Sequence, residues 1–417
     1  MSDVLSKIDK AWFEIFNKAP IMAEVKNRGY FDITASQIKK ITGQEARLMA
    51  KIDFREQLPK VMQAEQVAIL AINNGTYRIG GFDPFIDINT QINASVVNKQ
   101  FDNRFVSLMH QNLGTESAVL DSAMVTGILT DVFGEESFLT VRGRARSPEF
   151  EFSLSGQKIS VSGVQIEIDG GYEGANSLNL VEAKIGVRSN LSIRQLIYPQ
   201  LSWEENTKRL KPVKSFICLY QEPTIRFIPV VIDSLGCRVD HANEKAYILL
   251  PEAKFDLMAI RPNANANHPV IGTPFPQADR IETALTMFSI IMAKGSICKT
   301  DLQADFDIVP RQIDYYTNIL RWLGLIENKI HVEFLEPTKL GLEIGVLVHS
   351  EKIKRIAEII FTEPIFNHVL HFGAESVPQE YYSRWNIGGT TTKRRLSTVK
   401  AWVRYFKQFA EQDVLKL

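Results

Sequence analysis

The stretch Gln165-Ile-Glu-Ile-Asp-Gly-Gly-Tyr-Glu173, followed by Asn179-Leu-Val-Glu-Ala-Lys-Ile-Gly186, decides how the chain is read. Both segments alternate with the period of two that marks a strand. In the first, Gln165, Glu167 and Asp169 point one way and Val164, Ile166 and Ile168 the other. In the second, Leu180, Glu182 and Lys184 share a face, and Val181, Ala183 and Ile185 share the opposite one. Gly170-Gly171 and the segment Gly174–Ser177 are expected to supply the turns that fold one strand back on the other. Such a hairpin sets two carboxylates and an amine side by side. Two carboxylates with a nearby backbone carbonyl make a hard oxygen site of the kind Mg²⁺ takes. An ion there activates a water and neutralises charge building on a phosphodiester, with the lysine as a further point charge. The plainer alternative is a surface hairpin with an i,i+2 Glu–Lys ion pair, worth under about 1 kcal/mol. The apolar opposite face argues instead for a strand within a sheet, its charged side lining a cleft or solvent.

Residues flanking the hairpin extend the pattern. Glu116 opens a predicted helix over Thr115–Phe133, ending at Gly134, and is placed either to approach the site or simply to favour a helix N-terminus. Arg142, Arg144 and Arg146 form a basic cluster beside the sheet that is suited to phosphates. Ile193-Arg-Gln-Leu-Ile-Tyr-Pro199 begins a helix whose Arg194 and Gln195 are placed to brace the site or the substrate backbone.

Further out, Phe138–Val231 holds short apolar or alternating runs with one helical stretch, Ser192–Arg209, which predicts a mixed α/β sheet. Residues 1–95 read as mainly helical, with strands after Gln66 and a turn at Asn73-Asn-Gly75; the sheet core is assigned to 96–260. Arg261–Pro276 holds four of the 17 prolines and reads as a linker. The 417 residues suit several domains at roughly 100–200 residues each. Three scattered cysteines exclude a disulfide framework or a cysteine zinc site and fit a reducing cytosol. No signal-peptide pattern, membrane-length apolar run, phosphate-loop motif or Ser/His/Asp motif is present, and His368-x-x-His371 lacks a third ligand. With 48 basic and 48 acidic residues the net charge is zero, which by itself points away from nucleic acid.

The segments VQIEIDGGYEG, LVEAKIG and IRQLIYP resemble a type II restriction endonuclease of the Pro-Asp…Asp/Glu-x-Lys (PD-(D/E)XK) nuclease superfamily, with supporting matches in Glu45–Lys60 and Thr390–Trp402. The resemblance implies an α/β (α+β) restriction-endonuclease-like mixed sheet core with a helical N-terminal region and a C-terminal winged-helix or helical domain. Asp169 and Glu182 would bind Mg²⁺ (Mn²⁺ substituting), Lys184 would be the catalytic lysine, and Glu116, Glu167 and Gln195 would be auxiliary. One departure is that Ile168 stands where the motif has proline. It further implies hydrolysis of double-stranded DNA to 5′-phosphate ends, a homodimer, a partner DNA methyltransferase and a prokaryotic cytoplasm. Rival readings are a winged-helix DNA-binding regulator with an inert nuclease-like domain, and a structure-specific repair nuclease.

Residues 277–345 read as a winged helix: helices Ile281–Ala293, Lys299–Asp305 and Pro310–Trp322, then a hairpin from Gly324 to about Phe334. On the third helix Arg311, Gln312, Tyr315, Tyr316 and Asn318 form the expected exposed side, which includes types that read base edges. Alternatively the tyrosines pack against the wing. Region 346–417 is helical and basic; within it Arg384–Lys407 carries seven basic residues and no acid, including Lys393, Arg394 and Arg395. Ser397 is the expected N-cap of its amphipathic helix, with a basic lead-in for phosphates. The zero net charge therefore conceals separated acidic and basic stretches.

Overall fold

The computed structural model describes residues 6–100, 105–109, 113–233, 236–250, 255–262, 273–306, 308–328, 333–347, 349–383, 385 and 390–410. The N-terminal region runs α1 (Lys7–Lys18), α2 (Ile21–Arg28), β1 (Tyr30–Thr34), α3 (Ala35–Thr42), α4 (Ala46–Met49), α5 (Lys60–Ala64), β2 (Ala68–Asn73) and β3 (Thr76–Gly80). A Ser6–Asp9 capping box starts α1, whose helical spacing buries Trp12 and Ile15. The strands form an antiparallel sheet in the order β1-β3-β2. Gly75, at φ +80°, closes the β2–β3 turn where the Asn-Gly signal places it.

The central region comprises β4 (Phe85–Asp87), β5 (Val96–Gln100), α6 (Val106–Met109), α7 (Glu116–Val125), α8 (Ile128–Phe133), β6 (Ser137–Arg146), β7 (Phe150–Leu154) and β8 (Gln157–Val161). It continues with β9 (Gln165–Gly174), β10 (Leu178–Ile185), β11 (Asn190–Ser192), α9 (Arg194–Asn206), β12 (Val213–Gln221), β13 (Thr224–Asp233), β14 (Gly236–Val239) and β15 (Lys245–Leu250). Among the described residues, eight strands form one mixed sheet in the order β5-β15-β13-β12-β10-β9-β6, with β14 beside β13. β10 and β12 pair in parallel because α9 carries the chain back across one face between them. β10 is therefore buried on both faces. Val181, Ala183 and Ile185 pack with Leu120 and Leu129 of α7 and α8, and Leu178 and Leu180 pack with Leu196 and Ile197 of α9.

Two local expectations need correction. The helix predicted over Thr115–Phe133 is two helices: Thr115 caps α7, and Gly127 at φ +71° breaks the run before α8. Gly170 and Gly171 make no turn. They lie inside β9, opposite Val181 and Leu180. The chain reverses after Gly174, in a turn held by Glu135, whose carboxylate accepts from the Asn176 amide at 2.9 Å and the Ser177 hydroxyl at 2.8 Å. Glycine is needed at 171 for close approach, since a Cβ there would meet Val141 Cβ at 2.8 Å and Leu180 Cδ2 at 3.0 Å. The β6–β9 register also slips here, between Val141↔Gly171 and Gly143↔Ile168. Ile166 and Ile168 consequently join the α9-side cluster while Tyr172 joins the other one.

The C-terminal region runs α10 (Ile281–Lys294), β16 (Ile297–Cys298), α11 (Lys299–Ala304), α12 (Pro310–Trp322), β17 (Phe334–Leu335), α13 (Lys339–Gly345), α14 (His349–Phe361), α15 (Pro364–Phe372), α16 (Gln379–Ser383) and α17 (Thr390–Lys407). Its first part has the expected order of three helices and a hairpin. The hairpin tip, residues 329–332, lies outside the described residues, as do 263–272 of the linker and Arg384. A bond from the Glu327 amide to the Glu336 carbonyl (2.9 Å) and an Ile326↔Pro337 bridge carry the hairpin past Phe334. α17 begins at Thr390, so Ser397 is interior to it rather than a cap. The Ser397 and Thr398 hydroxyls instead donate to Asp279 at 3.1 and 2.7 Å. One apolar cluster runs from α7 and α8 across the sheet face to Trp322, Phe366, Trp402 and Phe406, so the C-terminal helices are docked on the sheet. Among the described residues no helix is long and apolar enough to cross a membrane.

If Gly171 is required by packing, Gly171→Ala should lower the unfolding free energy by about 1–3 kcal/mol. Urea unfolding measures this, and unchanged stability would show that the β6–β9–β10 contact tolerates a side chain.

Candidate functional site

Asp169, Glu182 and Lys184 meet where β9 parts from β10. Pairing between these strands ends at Val181↔Gly170, while β10 continues along β12 to Ile185. In place of the next ladder bond, Asp169 Oδ2 accepts from the Ala183 amide at 2.9 Å. The register slip in β9 thus aims Asp169 at β10 and fixes one of its oxygens.

Lys184 Nζ donates to Glu182 Oε1 at 2.5 Å, the Ala183 carbonyl at 2.9 Å and Glu116 Oε1 at 3.4 Å. Gln195, in the first turn of α9, donates from Nε2 to the same Glu182 Oε1 at 2.6 Å, and its own Oε1 is buried without a partner. Glu182 is only 7% exposed and the Lys184 side chain 12%. These five side chains come from α7, β9, β10 and α9, all anchored in the sheet and its two cover layers.

The cluster has more buried negative than positive charge. Burial raises the Asp169 pKa to about 6; Lys184 opposes the shift, and Glu116 reinforces it. Glu182 is pushed up to about 8 by burial, with Lys184 again opposing and Asp169 adding. Burial also disfavours the Lys184 ammonium, but Glu182, Glu116 and Asp169 outweigh it and hold the amine charged.

Other predicted residues fall less uniformly. Glu167 is exposed and pairs with Arg144 at 3.2 Å. Arg142 is committed elsewhere: its Nε donates to the Asp169 carbonyl at 3.0 Å and its Nη2 to Asp121 at 2.7 Å, so it braces the site from below. Arg194 pairs with Asp53 at 3.1 Å. On α12, Arg311 is exposed and lies against the Tyr315 ring, 5.7 Å from its centroid. Tyr316 corrects the expectation of an exposed side, being 8% exposed and part of the core because α12 packs against α10. Gln312 is engaged too, its Oε1 accepting from the Val309 amide at 3.0 Å, and Asn318 Oδ1 accepts from Arg321 at 3.0 Å. Lys393 and Arg394 are exposed at the start of α17, but Arg395 is buried, at 9% exposure, which removes it from the expected basic lead-in.

The carboxylates open into a cleft of about 930 Å³ whose lining comes from all three regions. Glu167, Asp169, Glu182 and Lys184 line it from the central region, Arg47, Asp53 and Asn74 from the N-terminal region, and Lys294 and Asp305 from the C-terminal region. The residues from outside the central region carry no local signal in the sequence, because only tertiary folding brings them to the site. Asp53 and Phe54 do fall within Glu45–Lys60, a segment that the family resemblance includes.

Three family models match parts of the chain, each described as a domain of unknown function: DUF6996 over residues 9–79, DUF6997 over 80–234 and DUF7226 over 285–411. No curated protein and no solved structure matches. Asp169, Glu182, Lys184 and Gln195 all lie within the DUF6997 match, and the cleft draws on the other two.

The raised carboxylates set a pH dependence. In the folded state each holds its proton to a higher pH than the ordinary 3.8 or 4.5, so folding takes up protons there. The stabilising contribution is complete below the ordinary values and is lost as pH rises through about 6 for Asp169 and about 8 for Glu182. Urea unfolding in a chelating buffer should show this decline, and Glu182→Gln should flatten its upper part; an unchanged slope in the variant would contradict the assignment.

Proposed function

We propose that the protein is a Mg²⁺-dependent, sequence-specific endonuclease of double-stranded DNA, of the type II restriction kind. One observation carries this reading: Asp169, Glu182 and Lys184 converge at the parting of two strands, with Gln195 and Glu116 beside them, at the wall of a cleft of about 930 Å³. That convergence supports the arrangement expected of the Pro-Asp…Asp/Glu-x-Lys nucleases despite Ile168 in place of proline.

The donor set suits a hard dication. Asp169 and Glu182 offer carboxylate oxygens whose ionisation is held back by burial and mutual repulsion, a penalty that a bound cation relieves. The buried, unpartnered Gln195 Oε1 adds polar capacity at the same place. Among the described residues no group of three or more His, Cys, Asp or Glu is gathered to hold an ion. Asp169 and Glu182 would therefore be the holders, in keeping with a Mg²⁺ site that keeps several waters. When bound, Mg²⁺ or Mn²⁺ supplies Lewis acidity that activates a water and neutralises phosphoryl charge.

The chain's own groups do the rest. Lys184, kept charged by three carboxylates, would hold the attacking water or a non-bridging phosphate oxygen by giving up its longest bond, to Glu116 at 3.4 Å. Gln195 fixes the Glu182 carboxylate, the Ala183 amide fixes Asp169, and Arg142 fixes the Asp169 backbone, so the reacting constellation is set before substrate arrives. Cleavage would leave 5′-phosphate ends. A two-fold dimer on a palindromic site, one subunit per strand, is the simplest assembly. A cognate DNA methyltransferase in the same prokaryotic cytoplasm would protect the host.

Asp169→Ala and Lys184→Ala should each lower Mg²⁺-dependent plasmid cleavage by on the order of 10²–10³-fold or more while duplex binding persists. Unchanged cleavage in both variants would remove the site. Duplex binding without cleavage by the intact protein would favour the regulator, and preference for branched or damaged substrates the repair nuclease.

A further inference from the structure

The N-terminal region contributes cations and an amide to the cleft: Lys39, Arg47, Lys51 and Asn74 line the same cavity as Asp169, Glu182 and Lys184. These cations are unequally committed. Lys39 is neutralised by Glu45 at 2.5 Å. Lys51 lies 3.9 Å from Asp53, whose carboxylate already takes Arg194 at 3.1 Å. Arg47, exposed on α4, has no acid partner among the described residues. Among the described residues, Arg47 is therefore without an acid and Lys51 holds only a long contact to a shared one, in a cavity whose lining also includes Glu116, Glu167, Asp169 and Glu182.

Beside them, the β2–β3 turn at one end of the three-stranded sheet contributes Asn74 to the cleft lining, exposed and one residue before Gly75. An asparagine side chain pairs with adenine through one donor and one acceptor. The helix that the sequence offers for readout, α12, is less available. Gln312 caps its own helix, Asn318 is taken by Arg321, Tyr316 is buried, and no α12 residue lines the cleft.

We propose that the N-terminal region grips the duplex at the point of cleavage, with Arg47 and Lys51 on backbone phosphates and Asn74 on a base edge. This rests on the nuclease reading and deepens it: target selection lies in the β2–β3 turn that lines the same cleft as the chemistry, rather than in α12. A duplex whose scissile phosphate sits at Lys184 would enter a cavity that Arg47, Lys51 and Asn74 also line.

The test uses the full chain carrying Asp169→Asn for binding and the otherwise native chain for cleavage. The ligand is a short labelled duplex of mixed sequence, titrated over a salt series. Each phosphate contact contributes about 0.9 to the slope of log affinity against log salt, so Arg47→Ala with Lys51→Ala should reduce that slope by about 2. In the native background the same pair should weaken cleavage without changing the sequences cut. Asn74→Ala should keep the slope and alter the sequences found at the cut ends. All three side chains are exposed, and unchanged melting temperatures confirm that folding is intact. An unaltered slope for the pair, or an unaltered set of cut sequences for Asn74→Ala, overturns the proposal. If the native chain cuts DNA and these variants match it, this inference alone fails; if the native chain cuts no duplex, the nuclease reading fails with it.

Discussion

The structure turns on one buried ammonium, Lys184, held between Glu182 at 2.5 Å and Glu116 at 3.4 Å with Asp169 close enough to act on its charge. Burying a charge is unfavourable unless it is paired and hydrogen-bonded, and Lys184 spends its three donors on Glu182, Glu116 and the Ala183 carbonyl. The balance is lopsided, however. One amine serves three acids, and the excess appears in the raised pKa values of Asp169 and Glu182. A structural ion pair would be expected to balance its charges, whereas a site prepared for a further cation would not. Perturbed carboxylates in a cleft are a recognised mark of function.

The surrounding fold serves this imbalance. β10 can carry Glu182 and Lys184 into the interior because both its faces are covered, by α9 on one side and by α7 and α8 on the other. α9 brings Gln195, α7 brings Glu116, and the slip in β9 turns Asp169 toward β10. The N-terminal region and the residues around Lys294 and Asp305 then wall the opening into a cleft. Each region contributes lining that the others lack, and no local segment contains the whole site.

Much of this was legible in the sequence, for identifiable reasons. β7, β10 and α12 fall where alternation, apolar runs and a first-turn proline place them, because those signals are local. Glu182 and Lys184 were visible as a pair because strand period two puts them on one face, whereas Asp169 reaches them through the register slip in β9, which alternation alone does not give. The failures have equally physical causes. Gly170-Gly171 reads as a turn, but sequence does not reveal that Val141 and Leu180 crowd position 171. Tyr316 has the spacing of an exposed residue, yet α10 packs over it. Ser397 looks like a cap only while the preceding residues are taken as loop. Arg47 and Asp53 lie in the Glu45–Lys60 segment that the resemblance includes, but that they and Asn74 reach the cleft is set by tertiary contact, which leaves no trace in local pattern.

The zero net charge conceals a separation: Glu116, Glu167, Asp169 and Glu182 gather in the lining of the cleft, and the exposed cations Arg47, Lys51, Lys393 and Arg394 lie in the N-terminal region and on α17. The most direct test of the account is to incubate the intact protein with unmethylated genomic DNA and Mg²⁺ and sequence the fragment ends. The account predicts 5′-phosphate ends at one recurring sequence, abolished by chelation. DNA that stays intact, or cleavage that persists in chelator, would contradict it.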